Sequence, residues 1–532
     1  MGERREWEVI ATQKRQEQAA RLATAISNAN IHSDDSVKIK NLSAQDVIQK
    51  VSSGQLTAKR VLQTYIAQAC DAHKMTNCLT EIMFDDAVKN AEELDRHLLR
   101  HGTTLGPLHG VTITLKDQFD VKGFDSTIGY VGRAFKPAQD DCALVKILRS
   151  LGGVIMAKTN IPQSIMWCET ENPLWGRTTN PAHPGYTPGG STGGEAAMLS
   201  CGASMLGWGT DIGGSIRIPS HMMGLYGFKP SSARLPYRGV PVSTEGQEHV
   251  PSAVGPLARD LDMIRLAMES VIRKQPWDFD ARCVPIGWRD DLYKSTFAKP
   301  LTVGVLLDDD VVRPHPPITR VLRAAIEALR AAGHHIIEWD SRLHSECIEV
   351  MDLFYTADGG EDIRNDVLMG GEPFIPHVEH LVNRGQPISV YAYWQLNKRK
   401  WELQQAYLDK WNSIRSPETG RPVDVVLMPP MPHSAVPHGG CKWVGYTKVW
   451  NFVDYPALVM PGGKVEMGDV SEPWDYSPRG ELDQWNQKLW VDNRTDMAEL
   501  NLPVGVQLIG RRHEEEKVLA AGKILDGLLR NN

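Results

Sequence analysis

Residues 187–219 read TPGGSTGGEAAMLSCGASMLGWGTDIGGSIRIP, and Gly-Gly-Ser occurs in them twice, ending at Ser191 and at Ser215, 24 residues apart. Ser215 follows "TDIGG" and precedes "SIRIP", where a strand gives way to a turn. Glycines at 213 and 214 allow a tight turn whose N–H groups face a ligand. Ile212, Gly213 and Gly214 therefore offer consecutive donors suited to an oxyanion, in front of a serine nucleophile. Taken alone, the same residues also fit a turn with a capping serine. Ser191, in "PGGSTGG", fits a loop or a phosphate cradle, but a Walker A loop needs a lysine that this stretch lacks.

A serine nucleophile needs a base, commonly histidine. No histidine stands in a recognisable relation to Ser215; His221, six residues on, reads as structural or pocket-lining. Lysine serves as a base when burial depresses its pKa toward neutrality. Lys116 ends the apolar strand "VTITLK" and is placed for such burial. A second serine between lysine and nucleophile would relay the proton. That gives the paired serines distinct tasks: Ser215 attacks, and Ser191 passes its proton to Lys116.

Working outward, the period of the sequence alternates. Residues 1–98 read as a helical N-terminal region, with a cap at Ser43 and a second helix ending at Gly102. From 99 to 532, short β-branched strands at 110–117, 153–160, 301–307, 334–340, 423–429, 456–461 and 503–510 alternate with helices. This predicts an α/β fold, a single large domain around a central mixed, mostly parallel sheet covered by helices. Its chemical core spans 110–235, and 230–300 and 341–422 read as peripheral layers.

A net charge of −7 without a basic block argues against nucleic acid as partner. No apolar run reaches the length of a membrane span, and the first 22 residues lack a signal-type apolar segment, so cytoplasm is the expected compartment. The eight cysteines are scattered without a C-x-x-C pair, as expected for reduced thiols. No zinc-type pattern is present, and "HVEH" at 377–380 reads as surface.

The combined pattern resembles the amidase signature family. The resemblance rests on "GGSTGGEAAML…GWGTDIGGSIRIP", the upstream "GPLHGVTITLKD" and the linking "KTNIPQSIMWCETENPLWGRTTNP". Within the family, "LKDQFDVKGFDSTIGY", "YGFKPSSARLPYRG" and "PVGVQLIGRRHEEE" are similar to the fungal acetamidase type. The resemblance implies a Ser–cis-Ser–Lys triad of Ser215, Ser191 and Lys116. It implies an oxyanion hole at Ile212, Gly213, Gly214 and the N–H of Ser215, and Asp211 and Arg217 as a supporting ion pair. Thr192 replaces a serine common in relatives and keeps its hydroxyl. No cofactor or metal is implied, and a homodimer is the family expectation. The implied substrate is a small-molecule carboxylic amide, short or aryl. Trp167, Cys168, Trp175 and Trp208 are the candidates for the acyl pocket, with Met222, Met223 and Tyr226 placed equally well for helix packing. Two alternatives stand beside hydrolysis: an amidotransferase A-type glutaminase subunit feeding ammonia to a partner, and a non-catalytic binding or scaffold protein retaining the fold.

Overall fold

Eleven strands form one sheet in the order β1-β3-β2-β6-β8-β7-β12-β13-β11-β9-β10. A computed structural model describes residues 5–28 and 38–530. In chain order the strands are β1 (Leu79–Ile82), β2 (Thr112–Lys116), β3 (Val154–Thr159), β4 (Glu171–Asn172), β5 (Gly176–Arg177), β6 (Leu206–Asp211) and β7 (Tyr226–Lys229). They continue as β8 (Ala253–Ala258), β9 (Thr302–Val305), β10 (His335–Glu338), β11 (Val425–Met428), β12 (Ala457–Lys464) and β13 (Pro503–Ile509). β4 and β5 make a separate two-stranded hairpin.

The sheet is mixed. Parallel pairing sits in two blocks, β3-β2-β6 and β11-β9-β10. The pairs between these blocks, and the edge pair β1–β3, are antiparallel. The parallel share is thus smaller than strand–helix alternation alone suggests. β7 and β8 ("YGFK" and "AVGPLA"), which carry no strong β-branched signature, enter the middle of the sheet antiparallel to their neighbours, and β13 runs antiparallel to both β12 and β11.

Flanking helices cover the sheet: Phe84–His101 packs on β3, Gly193–Ser200 on β6, Leu261–Arg273 on β8, and Pro316–Ala331 and Glu515–Arg530 on β12 and β13. The N-terminal stretch is not wholly helical, because Leu79–Ile82 forms the edge strand β1, fully buried against β3. The long helical pattern beginning at Ser43 divides into Ala44–Ser52 and Ala58–Thr76, each with its own cap, Ser43 and Thr57. Gly54, at φ +73°, makes the break in a conformation that an L side chain rarely adopts. Residues 344–413 form four helices with their own contribution to a second apolar cluster around Trp339, Tyr407, Trp411 and Trp450. Among the described residues, no helix is long and apolar enough to cross a membrane.

Candidate active site

Strand β2 alternates Ile113 and Leu115 on one face with Thr112, Thr114 and Lys116 on the other. Lys116 is fully buried. Its Nζ donates to Ser191 Oγ at 2.7 Å and to Thr210 Oγ1 at 2.9 Å. The Thr210 hydroxyl in turn donates to Gln118 Oε1 at 2.7 Å. Burial pulls the Lys116 pKa down to about 7, against the opposing charges of Asp211 and Asp117. Among the described residues no carboxylate lies within ion-pair distance of Lys116, so nothing nearby holds it charged in the way a direct ion pair would.

Ser191 precedes the helix Gly193–Ser200, and the Gly190–Ser191 peptide bond is cis. The helix is fixed to the sheet by Glu195. The hydroxyls of Thr114 on β2 and Thr159 on β3 both donate to its carboxyl, the latter at 2.9 Å. Burial pushes Glu195 up to about 8, so it is mostly protonated at neutral pH. The Thr192 N–H donates to Ser215 O at 3.2 Å and joins the two serine segments. The Thr192 hydroxyl bonds Thr210 O at 3.4 Å.

The loop into Ser215 is organised by Asp211 and Arg217, both without solvent exposure. Arg217 Nε and Nη2 donate to Asp211 Oδ2 and Oδ1 at 3.0 and 2.9 Å, the bidentate geometry that guanidinium favours. Gln507 and Asn451 accept from Arg217, and Asn451 Nδ2 donates back to Asp211. Burial would raise the Asp211 pKa, but the Arg217 guanidinium outweighs it and holds the carboxylate well below its ordinary range. Asp211 also accepts from the backbone N–H of Gly214, Ile216 and Arg217.

The Gly214 N–H is therefore engaged, which changes the expected donor set. Among the described residues, the N–H groups of Ile212, Gly213 and Ser215 carry no such bond. The Tyr355 hydroxyl donates to Ile212 O at 2.9 Å and that of Thr447 to Gly213 O at 2.7 Å, which fixes the loop's peptide planes. Gly214 has φ +129°, and a Cβ there would stand 2.3 Å from Thr447 Oγ1. Only glycine fits both the conformation and the space.

Ser215 is half-buried and lines a cavity of about 120 Å³ together with Gly190, Ile212 and Gly213. Of the tryptophans and the cysteine expected at an acyl pocket, Trp167 and Cys168 line this cavity. Trp175 and Trp208 do not. Trp175 packs with Leu174 and Val131 and donates from Nε1 to Thr127 Oγ1 at 3.1 Å. Trp208 is fully buried mid-strand in β6, paired with Leu115 and Pro256, where the sheet core absorbs its ring. Met222 is core, Met223 packs with Leu225 and Leu257, and the Tyr226 hydroxyl donates to Asp526 at 2.5 Å. His221 is structural: Gly505 N–H donates to its Nδ1 at 2.9 Å, and its Nε2 lies 2.8 Å from His433 O. His380 of "HVEH" is exposed, as read, whereas His377 is half-buried and stacks on Trp167 with ring centroids 4.5 Å apart.

Sequence reasoning missed Thr210 and Gln118 beside the lysine, and Tyr355, Thr447 and Asn451 around the loop. Thr210 lies in the quoted stretch directly before Asp211, so the two-residue strand period that buries Trp208 signals it too. Gln118 lies two residues past Lys116, whereas Tyr355, Thr447 and Asn451 come from helices 140–240 positions downstream of the loop they hold and carry no local signal.

A family model described as Amidase matches residues 60–519. The chain is 51% identical over 513 residues to Amidase 2 of Gibberella moniliformis, covering 96% of each chain. It is 35% identical over 549 residues to the acetamidase of Emericella nidulans, covering 99% of this chain and 98% of the relative. Among solved structures, a fatty acid amide hydrolase superposes with a TM-score of 0.85 at 32% identity, over 94% of this chain and 87% of that one. With a family match over most of its length and relatives this similar, the chain belongs to the amidase family of amide-bond hydrolases.

Proposed function

We propose that the protein hydrolyses small carboxylic amides through an acyl-serine intermediate, with Ser215 as nucleophile, Ser191 as relay and Lys116 as base. The observation that carries this reading is Lys116: fully buried, poised near pH 7, and donating to Ser191 Oγ at 2.7 Å beside a cavity that Ser215 lines. In the neutral lysine, Nζ accepts a proton from Ser191 as Ser191 accepts one from Ser215. Ser215 Oγ bonds to the amide carbon, and the carbonyl oxygen becomes an oxyanion facing the N–H groups of Ile212, Gly213 and Ser215. Removing one such donor typically costs about 2.7–4 kcal/mol of transition-state stabilisation. The proton returns through Ser191 to the amide nitrogen, the C–N bond breaks, and ammonia or an amine leaves. Water then attacks the acyl-serine by the same relay, releasing the carboxylic acid and restoring Ser215.

The cavity's size supports a small acyl group, because about 120 Å³ falls below the range of about 300–1,000 Å³ usual for sites of drug-sized ligands. The test is ammonia release from primary amides, from formamide through hexanamide to benzamide and phenylacetamide. Wild type is expected to turn over the short members, and Ser215→Ala to be inactive while folding normally. Activity that survives Ser215→Ala overturns the assignment.

A further inference from the structure

One end of the Ser215 cavity is not apolar. Asp352, Arg384 and Lys448 line it together with Tyr355 and Leu381. Lys448 Nζ is paired with Asp352 Oδ1, and Arg384 Nη2 stands 3.4 Å from Asp352 Oδ2. Lys448 sits one residue after Thr447, which bonds the nucleophile loop, and its Nζ lies 5.3 Å from the ring centre of Tyr355, which bonds the same loop. This ion cluster is therefore built into the elements that shape the oxyanion loop.

Two cations share one carboxylate, so the cluster carries a net positive charge. Lys448 takes the closer pairing, with side-chain exposures of 12% for Lys448 and 21% for Asp352. Arg384 is left under-used. Its one ion pair among the described residues is at 3.4 Å, beyond the roughly 2.7–2.9 Å of a strong charge-assisted bond, and its guanidinium offers five donors. The rest of the lining is largely apolar, with Met166, Trp167, Ile218 and Val444 among it. A ligand that fills the cavity meets both Ser215 and a partly solvent-exposed guanidinium, 45% exposed, with donors that no protein group takes up among the described residues.

We propose that this cavity selects acyl groups that end in a carboxylate, received by Arg384 and Lys448, so that the preferred substrates are half-amides of short dicarboxylic acids. This rests on the amide-hydrolase reading above. The acyl carboxylate completes the fork of Arg384 and neutralises the cluster, while its methylene chain occupies the apolar walls. A substrate ending in an ammonium group is disfavoured, because Asp352 is already claimed by Lys448. Burial draws the Lys448 pKa down, with Asp352 opposing the shift.

The experiment compares succinamate and glutaramate with butyramide and pentanamide, and glutaramate with glutamine. Turnover is read as ammonia release, and binding by calorimetry on Ser215→Ala. Wild type is expected to favour each half-amide over its neutral counterpart by about tenfold or more in kcat/KM, mostly through KM, and glutaramate over glutamine. Arg384→Gln is expected to erase the preference, lowering kcat/KM on glutaramate about tenfold more than on pentanamide, and Arg384→Lys to restore part of it. Equal or better turnover of the neutral amides overturns the inference, as does a preference unchanged in Arg384→Gln. If no amide is turned over, the hydrolase reading fails, and calorimetry still decides the inference. Glutaramate binding Ser215→Ala more tightly than pentanamide, and losing that advantage when Arg384→Gln is added, upholds it; equal binding overturns it.

Discussion

Replacing Thr210 with valine tests the proposed base without touching it. The Thr210 hydroxyl accepts from Lys116 Nζ at 2.9 Å, and Lys116 is drawn to about 7 by burial. With that pKa, the neutral fraction of Lys116 rises from about one-tenth at pH 6 to about nine-tenths at pH 8. kcat/KM on a neutral amide should therefore climb about tenfold per pH unit below 7 and level off above it, since this ratio reports groups of the free enzyme. The Thr210 bond favours the charged ammonium, so it holds the pKa up, and losing it lowers the pKa. Hydrogen bonds to charged groups contribute about 1.5–3 kcal/mol. Because the neutral amine keeps part of the interaction, the smaller figure applies, and about 1.4 kcal/mol corresponds to one pH unit. Thr210→Val should move the rising limb down by about one unit and leave the plateau within a few-fold of wild type. The assay is initial-rate ammonia release from pH 5 to 9 on both proteins. A wild-type limb centred above about pH 9, or a limb that stays put or moves up in Thr210→Val, refutes the reasoning that buried Lys116 is the titrating base.

Three further outcomes follow from the same site. Asp211→Asn leaves the fully buried Arg217 without its carboxylate, and denaturant unfolding should show a loss of about 3–5 kcal/mol, with Asn451 and Gln507 unable to supply the missing charge. Gly214→Ala places a methyl against Thr447 Oγ1 at φ +129°, so kcat should fall by about a hundredfold or more, and denaturant unfolding should also show a loss of about 1–3 kcal/mol from the strained backbone. Glu195 has a folded pKa of about 8 against an ordinary 4.5, so the folded state keeps a proton that the unfolded chain releases. Its contribution is fully present below about pH 4.5 and is lost as pH rises through 8; chemical unfolding at a series of pH values should show that decline in wild type and a flatter profile in Glu195→Gln.

The serine–glycine stretch was legible because its chemistry is written locally. Two Gly-Gly-Ser turns, a strand ending in Lys116 and an Asp211/Arg217 pair six residues apart all lie within about a hundred positions, and the structure brings them into one place. Strand periodicity also located β2, β3, β6 and β9 to β13, each β-branched or bounded by glycine and proline. β1, β7 and β8 escaped because "LTEI", "YGFK" and "AVGPLA" are too short or too glycine- and proline-rich to show a period, and their strand form comes from neighbours in the sheet. The pocket was legible only in part for a similar reason. Trp167 and Cys168 lie on the segment that faces Ser215, but Trp175 and Trp208 carry the same ring chemistry into the core. The polar end of the cavity depends on Asp352, Arg384 and Lys448, which come from two different helices and the turn after a third, with nothing in local sequence to join them.

Burial acts in the same direction on every ionisable group of this site, disfavouring charge, yet it produces two opposite states within a few residues of one another. Lys116 and Asp211 are both fully buried. Asp211 meets a bidentate guanidinium, three backbone N–H groups and an asparagine amide, and stays charged far below its ordinary range. Lys116 meets only neutral hydroxyls, from Ser191 and Thr210, and its charge is held by nothing closer than the field of Asp211 and Asp117. The difference in partners, not in burial, separates a permanent anion that shapes the loop from a lysine able to exchange a proton near neutral pH. Supplying Lys116 with an anion in direct contact would raise its pKa and disable it as a base. The all-neutral lining of its end of β2 is thus as much a requirement of the proposed chemistry as the lysine itself.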